Sequence, residues 1–383
     1  MEKTKIFLLL FLLVVACKKP YNPTVIDSPK SYLVVEGGIN GNDTTTIKVS
    51  RTVKLTSKSV NNPVDATVTV ESDNGDKYDL YKSAPGIYKL DNIVLNDAQK
   101  YRLHIITADN KSEYRSDFVA VKNAPPIDSI GFNLTPKGIQ VYANAHNDGN
   151  STRYYRFDYV ETWKFHSLYR SSWISNGTDI VFRTPEQQNY FCFKSYISST
   201  IVLASTAKLT QDVLYQTPII AIESTSEKIE TKYSILLRQY ALTAEAYKFW
   251  ESLKKNTEQL GSIFDAEPTQ LAGNIHNIND NSDIVIGYTS AGAVSKKRVF
   301  ITAEQLPASF SPIYPYECQL DSFWYNNPHS GQNDVKQVLV PNIEMAAFDF
   351  TNGAPKPIGY MGASPYCVDC TLRGSTKQPD FWK

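Results

Sequence analysis

The residues best suited to chemistry by type and spacing are four cysteines: Cys192, Cys318, Cys367 and Cys370. In an exported chain an even number of cysteines predicts two disulfides, and four cysteines allow three pairings. Two alternatives remain open. The sulfurs could hold a structural zinc ion, although such sites often use two C-x-x-C knuckles and this sequence has one, at 367–370. That motif could also be a redox pair, although nothing around 366–371 indicates the helix N-terminus that such a pair requires.

A catalytic constellation is not visible in the sequence. Hydrolysis by a side-chain nucleophile needs a nucleophile, a base and an orienting acid. The sequence has no G-x-S-x-G motif, and its five histidines are scattered, with no H-x-x-x-H pair. We therefore predict a non-enzymatic protein with no catalytic residues, no metal site and no cofactor. Spacing cannot locate the two carboxylates of a glycosidase, because they are usually distant in sequence.

Aromatic side chains in one polar, loop-like stretch are candidates for ligand contact. These are Phe165, Tyr169 and Trp173, which could stack on sugars or peptides. Binding residues often lie on loops that a rigid scaffold holds in place. The alternative is that these rings pack across sheets, as aromatic residues in strands commonly do.

Two three-residue patterns are candidates for modification. Asp43-Thr44-Thr45 and Asp128-Ser129-Ile130 resemble the short O-glycosylation sequon of Bacteroidota envelope proteins. Thr44 and Ser129 are therefore predicted acceptors of an O-linked glycan.

The start of the chain predicts export and lipidation. Lys3 and Lys5 precede an unbroken apolar run over residues 6–16, which is typical of a secretory signal peptide. The run is too short to span a hydrocarbon core of about 30 Å. It ends in Val14-Val15-Ala16-Cys17, which resembles the bacterial lipobox. We expect residues 1–16 to be removed, Cys17 to carry lipid, and residues 17–30 to form a tether.

The face of the membrane stays open. Lys18-Lys19 follows Cys17, and there is no acidic cluster of the kind that some surface-exported lipoproteins of the Bacteroidota carry. The protein could therefore lie on the periplasmic or the external face of the outer membrane.

Composition and patterning predict a mainly β fold. The 39 basic and 39 acidic residues balance, and no basic run follows the signal, so the electrostatic footprint of a nucleic-acid binder is missing. Alternating strands with turn signals over 31–123 predict an immunoglobulin-like or transthyretin-like sandwich. Ala124-Pro125-Pro126 marks a boundary, and 124–383 is predicted to be a larger β-rich domain.

One amphipathic helix is predicted inside the larger domain, over about residues 243–260. Thr243 can cap its start and Gly261 can end it. Tyr247, Trp250 and Leu253 recur every three residues, and we expect this aromatic stripe to pack into the core.

Several segments together resemble the domain-of-unknown-function 4249 family of Bacteroidota lipoproteins. The matching segments are Leu33-Val34-Val35-Glu36-Gly37, 233–239, Phe249-Trp250, 261–265, 273–275, 286–288, Cys367 to Ser375 and 379–382. The resemblance implies an outer-membrane lipoprotein, usually encoded beside a TonB-dependent transporter, and implies no established reaction.

The sequence thus predicts a lipid-anchored accessory or binding protein associated with such a transporter. The alternatives are an envelope hydrolase acting on glycans or peptides, and a structural factor of envelope assembly.

Overall fold

The computed structural model describes residues 31–53, 62–109, 111–258, 273–339, 345–350 and 356–383. The predicted signal peptide, the predicted lipidation site Cys17, the predicted tether and Gly261 lie outside these ranges, as does the segment 261–265. The described part of the chain is mainly β, which confirms the predicted fold class. Within it, no helix is long and apolar enough to cross a membrane.

The N-terminal unit is the expected β-sandwich. Its two antiparallel sheets have the orders β1-β2-β6-β5 and β8-β7-β3-β4, with β9 beside β7. Leu33, Val35 and Ile39 alternate with more exposed residues along β1 and point into a core shared by both sheets. Its strands are β1 (Leu33–Asn40), β2 (Thr45–Arg51), β3 (Ala66–Ser72), β4 (Lys77–Asp79), β5 (Tyr81–Ala84), β6 (Ile87–Leu90), β7 (Lys100–Thr107), β8 (Glu113–Ser116) and β9 (Val119–Ala120).

The central part of the chain forms a second sandwich. One sheet has the order β10-β11-β17, and the other has the order β15-β12-β18-β22 with β16 also beside β12. The long strands β12 and β18 alternate buried and half-buried residues, and their inward rings fill the core. Elements in this part are β10 (Ile127–Thr135), β11 (Gly138–His146), β12 (Tyr154–His166), β13 (Trp173–Ser175), β14 (Ile180–Phe182), β15 (Phe191–Ile197), β16 (Val202–Ser205), β17 (Val213–Glu223), β18 (Lys232–Leu242), α1 (Ala244–Glu258), β19 (Ile275–Asn277), β20 (Val285–Ile286), β21 (Ala291–Gly292) and β22 (Ser295–Thr302).

Three short strands between α1 and β22 return to the N-terminal sandwich. β20 and β21 pair in parallel with β1, and β19 pairs with β8. Ile275, Val285 and Ala291 are buried in the N-terminal core. The predicted boundary after residue 123 is therefore corrected: the first sandwich is completed by residues 275–292. We call residues 273–294 the return segment.

A small third unit lies beyond the second sandwich. The hairpin β13–β14 and the sheet β23-β25-β24 enclose a separate cluster that includes Trp173, Phe323 and Tyr360. The predicted single domain 124–383 thus contains two packed units. The remaining elements are β23 (Asp321–Trp324), α2 (Lys336–Leu339), β24 (Met345–Phe350), β25 (Gly359–Ala363) and α3 (Pro365–Val368).

The predicted amphipathic helix is present as α1. The Thr243 hydroxyl accepts a hydrogen bond from the Ala246 amide at 3.2 Å, as expected of an N-cap. Phe249 is buried, but Tyr247, Trp250 and Leu253 are only half-buried. The expectation that this stripe belongs to the core is wrong for Trp250 and Leu253, because both line a cleft.

The four cysteines form two disulfides, Cys192–Cys370 and Cys318–Cys367, each with a Cα–Cα distance of 5.7 Å. The prediction of two disulfides is confirmed, and the structure supplies the pairing that the sequence left open. A zinc site on these sulfurs is excluded because all four are consumed. A redox-active disulfide between Cys367 and Cys370 is also excluded, because these two cysteines are bonded to different partners.

Candidate ligand-binding cleft

A cleft of about 640 Å³ lies where the N-terminal sandwich, the return segment, the sheet of β12 and β18 and helix α1 meet. We call it the interdomain cleft. Its volume falls in the range of about 300–1,000 Å³ that is typical of small-molecule sites. It is walled by residues 34–40 of β1, by much of 286–293, and by side chains from β12, β18 and α1.

Close backbone packing shapes the β1 wall. Gly37 has a φ of +125°, and a Cβ there would lie 2.2 Å from the Thr46 carbonyl oxygen. A Cβ on Gly287 would lie 2.4 Å from the Val35 carbonyl oxygen. Glycine is required at both positions, because any side chain would push β1 away from its neighbours. Both glycines fall in segments that carried the family resemblance.

A stacked arginine is the main polar feature of the opposite wall. The Arg156 guanidinium carbon lies 4.2 Å from the ring centroid of Tyr240 and 4.5 Å from that of Trp250. Arg156 and Tyr240 are directly opposite in the register of β12 and β18, and Trp250 approaches from α1. Burial, reinforced by the nearby Asp158 carboxylate, raises the pKa of Tyr240 to about 12. The phenol is therefore neutral at physiological pH, and its ring can act as a cation–π partner.

Asp158 is held mainly by a second arginine. Its carboxylate accepts a hydrogen bond from Arg238 Nε, the residue opposite it on β18. Arg156 Nη1 lies 3.7 Å from Asp158, beyond hydrogen-bond distance. The Arg156 side chain, which is 21% exposed, makes no hydrogen bond to another described residue. Its N–H groups therefore remain available at the cleft.

Two of the acidic residues that line the cleft are occupied by hydroxyl and ammonium donors. Asp91 accepts from the Thr44 hydroxyl at 2.6 Å and from the Tyr81 hydroxyl at 2.8 Å. These two bonds hold the pKa of Asp91 below its usual value. Asp43 is paired with Lys296. Burial opposes ionisation of Asp43, but the Lys296 bond outweighs it and lowers the pKa.

The fourth lining carboxylate, Glu36, pairs with Lys48 at 2.8 Å. Each of the four lining acids therefore has a partner within the protein. Lys89, Lys122, Arg156 and Arg238 also line the cleft. The lining thus holds four cations and four carboxylates, and three of the carboxylates are neutralised by ion pairs.

An apolar side completes the cleft. The rings of Phe249 and Tyr288 lie 5.5 Å apart at a tilt of 37°, and Leu253 extends the same surface along α1. The cleft therefore presents cationic donors at one wall and aromatic and aliphatic surface at another, a combination typical of sites for small molecules.

The three aromatic residues predicted to contact a ligand do not form one surface. Phe165 is fully buried in the second sandwich, so its predicted ligand contact is wrong. It shares the inward face of β12 with Trp163, because the strand continues to His166 where a loop was expected. The half-buried Tyr169 donates its hydroxyl to the Cys318 carbonyl at 3.0 Å.

Trp173 belongs to the core of the third unit and is 6% exposed. It stacks on Phe182 at 3.9 Å, and with Tyr325 and Tyr360 it lines an open depression of about 730 Å³. Contact between Trp173 and a ligand stays a prediction.

The two predicted glycosylation sites lie on different units. Thr44 is half-buried at the rim of the interdomain cleft and bonded to Asp91. Ser129 is exposed on β10, where its hydroxyl accepts from Asn144 at 2.8 Å. Their modification stays a prediction. No group of three or more residues suited to hold a metal ion occurs in the described ranges.

Comparison with known proteins places the chain in a family. The family described as "Domain of unknown function (DUF4249)" matches residues 18–298. The chain belongs to this family. All residues that line the interdomain cleft lie inside the matched range, whereas the tail segments 367–375 and 379–382 lie beyond it. No curated protein matches the chain.

Among solved structures, a two-domain fibronectin type-III segment of chicken tenascin is similar at 10% sequence identity. The match spans 56% of this chain and 93% of that chain, with a TM-score of 0.17. The assignment of two sandwiches does not rest on this likeness, but on the sheets and cores described above.

Proposed function

We propose that this DUF4249 protein is a lipid-anchored, non-enzymatic accessory protein of the outer membrane that binds a small molecule in the interdomain cleft. Its partner would be a TonB-dependent transporter. The observation that carries the binding role is the cleft itself, where the stacked Arg156 has unused donors beside an apolar wall. The lipobox-like ending at Cys17 supports the anchor, and the family resemblance supports the transporter as partner.

We favour binding over hydrolysis because the lining carboxylates are occupied. Asp91 accepts from two hydroxyls, and Glu36, Asp43 and Asp158 each pair with a cation. A general acid must release a proton to the substrate, and a general base must accept one. Carboxylates held in ion pairs and hydrogen bonds are poorly placed for either role.

The anchor is tested by Cys17→Ser. Fractionation of cells should find the native chain in the membrane and the variant in the soluble envelope fraction, because the lipid attaches to the Cys17 thiol. A variant that stays in the membrane would contradict the lipid anchor. Protease treatment of intact cells then assigns the face: digestion places the protein outside, and protection places it in the periplasm.

The partner is tested by co-purification of the tagged chain from detergent-solubilised membranes. A transporter should be recovered with the native chain and with Arg170→Gln, an exposed substitution outside the cleft. Repeated purification without any transporter would overturn that part of the proposal. It would leave ligand binding in the cleft to be judged by direct titration.

A further inference from the structure

We propose that the ligand of the interdomain cleft is a small carboxylate that carries a flat apolar ring, with Arg156 as the residue that binds the carboxylate. This inference rests on the proposed role of the cleft as a ligand site and adds the chemical class of the ligand.

The first step is the geometry of Arg156. Its guanidinium carbon lies 4.2 Å from the ring centroid of Tyr240 and 4.5 Å from that of Trp250. A guanidinium is planar, and its N–H groups donate along the edge of that plane. That edge has the spacing of a carboxylate, which accepts two parallel hydrogen bonds from arginine. The two rings also fix the side chain before the ligand arrives, which lowers the entropic cost of binding.

The second step is that these donors are unused. The Arg156 side chain makes no hydrogen bond within the described part of the chain, and its ion-pair partner Asp158, 3.7 Å away, is bonded to Arg238. A partly buried cation without hydrogen bonds is costly unless a ligand or water supplies acceptors. An arriving carboxylate would meet this need without breaking a hydrogen bond of the Arg156 side chain.

The third step is the balance of charge around the cleft. Three of the lining carboxylates are ion-paired and Asp91 accepts from two hydroxyls, whereas Lys89 and Lys122 form no ion pair with a lining acid. A cationic ligand would have to compete with Lys48, Lys296 or Arg238 for a paired carboxylate, or with the two hydroxyls that donate to Asp91. An anionic ligand needs no such competition, because the Arg156 donors are unused, so the cleft is expected to favour anions over cations.

The fourth step is the apolar wall. Phe249, Tyr288 and Leu253 line the cleft beside Trp250. The rings of Phe249 and Tyr288 lie 5.5 Å apart, and together with Leu253 they form an extended apolar surface. A flat ring attached to the carboxylate buries apolar area there. The volume of about 640 Å³ accommodates a molecule of this size.

The test uses three indole compounds that differ in charge: indole-3-acetate, the neutral alcohol tryptophol, and the cationic tryptamine. Each is titrated by calorimetry into the full chain, purified from membranes in detergent. Indole-3-acetate should bind about ten- to a hundredfold more tightly than tryptophol, the factor expected for a hydrogen bond to a charged group. Tryptamine should bind more weakly still.

Variants assign the effect to Arg156. Arg156→Gln should weaken the binding of indole-3-acetate about tenfold or more and leave the affinity for tryptophol unchanged. Arg156→Lys keeps the charge but not the paired donors, so its affinity for indole-3-acetate should lie between those of the native chain and Arg156→Gln. The control is Arg170→Gln, because Arg170 also lies over a ring, 5.8 Å from the centroid of Tyr190, but outside the cleft. The native chain's preference among the three compounds tests the sign of charge even if Arg156→Gln does not fold.

The contrary results are distinct. Equal affinity for indole-3-acetate and tryptophol would overturn the anion class but leave the cleft as a ligand site. Unchanged affinity for indole-3-acetate in a folded Arg156→Gln would overturn the role of Arg156. Failure of all three compounds to bind would overturn this inference, whereas the proposed association with a transporter would still be decided by co-purification.

Discussion

Replacing Lys228 by methionine should strongly destabilise the second sandwich, because it leaves a buried carboxylate without its cation. Glu161 lies in β12 with its side chain only 1% exposed. Lys228 Nζ donates to both carboxylate oxygens at 2.9 Å, and the Tyr233 hydroxyl donates at 2.8 Å. Methionine matches the length of the lysine stem but removes the charge. Removing one partner of a buried ion pair lowers the unfolding free energy by about 3–5 kcal/mol.

The double variant separates charge from packing. In Glu161→Gln with Lys228→Met, both partners are neutral, and the amide oxygen can still accept from Tyr233. We expect it to recover at least about 2 kcal/mol relative to the single variant, because no uncompensated charge remains. The matched control is Lys255→Met, whose partner Glu251 is 47% exposed. That substitution should change stability by less than about 0.5 kcal/mol.

Urea unfolding at pH 7 provides the assay, followed by circular dichroism and tryptophan fluorescence. The ring centroid of Trp163 lies 5.3 Å from Lys228 Nζ, so part of the tryptophan emission comes from this sandwich. Coincident transitions by both probes would justify a single unfolding free energy. A loss below about 1 kcal/mol in Lys228→Met, or a double variant as unstable as the single one, would refute the reasoning about the buried charge.

Three further predictions concern other parts of the molecule. Replacing Cys318 and Cys367 by serine opens a loop with a sequence separation of 49 and should cost about 4 kcal/mol in urea unfolding; a loss below about 1 kcal/mol would contradict it. Burial of Glu71 is outweighed by bonds from two basic side chains, which hold its pKa at about 2, below the ordinary 4.5. Its ionised form therefore stabilises the fold above pH 4.5, and this contribution is lost as the pH falls towards 2; Glu71→Gln should flatten that part of a stability–pH curve, and an unchanged curve would contradict it. Gly37→Ala should lower the melting temperature, because its Cβ would lie 2.2 Å from a carbonyl oxygen at a φ of +125°; an unchanged melting temperature would count against this strain.

Local signals in the sequence were enough for several elements. Helix α1 was predictable because its apolar residues recur with helical spacing and Thr243 can cap it. Two disulfides followed from an even number of cysteines. Their pairing did not follow, because it depends on which strands the tail reaches: Cys370 meets Cys192 where Ser375 pairs with Phe193 of β15.

The return segment could not be predicted from local patterns. β20 and β21 are two residues long, too short to show alternation, and they pair with a strand more than 240 residues earlier in the chain. Such pairing is fixed by tertiary contacts rather than by local propensity. The sequence therefore placed a boundary after residue 123 but gave no sign that the chain crosses it again.

The stacked arginine was partly visible in the sequence. Arg156 and Asp158 alternate along β12, and Arg238 and Tyr240 alternate along β18, so each pair shares one face of its strand. Only the register, which sets Arg156 opposite Tyr240 and Asp158 opposite Arg238, reveals that these residues meet. Trp250 was assigned to the core because a helical stripe alone does not show what faces it.

The cleft and the completion of the first sandwich depend on the same stretch of chain. The return segment supplies β20 and β21 to β1 and, between them, the backbone around Gly287 that walls the cleft. The opposite wall belongs to β12, β18 and α1, so a ligand that spans the cleft contacts both sandwiches. Binding to the folded state stabilises it by an amount that grows with the logarithm of ligand concentration relative to Kd. A ligand in this cleft would therefore stabilise the two sandwiches as a pair. Detachment of the return segment from β1 would remove one wall of the cleft and release the ligand.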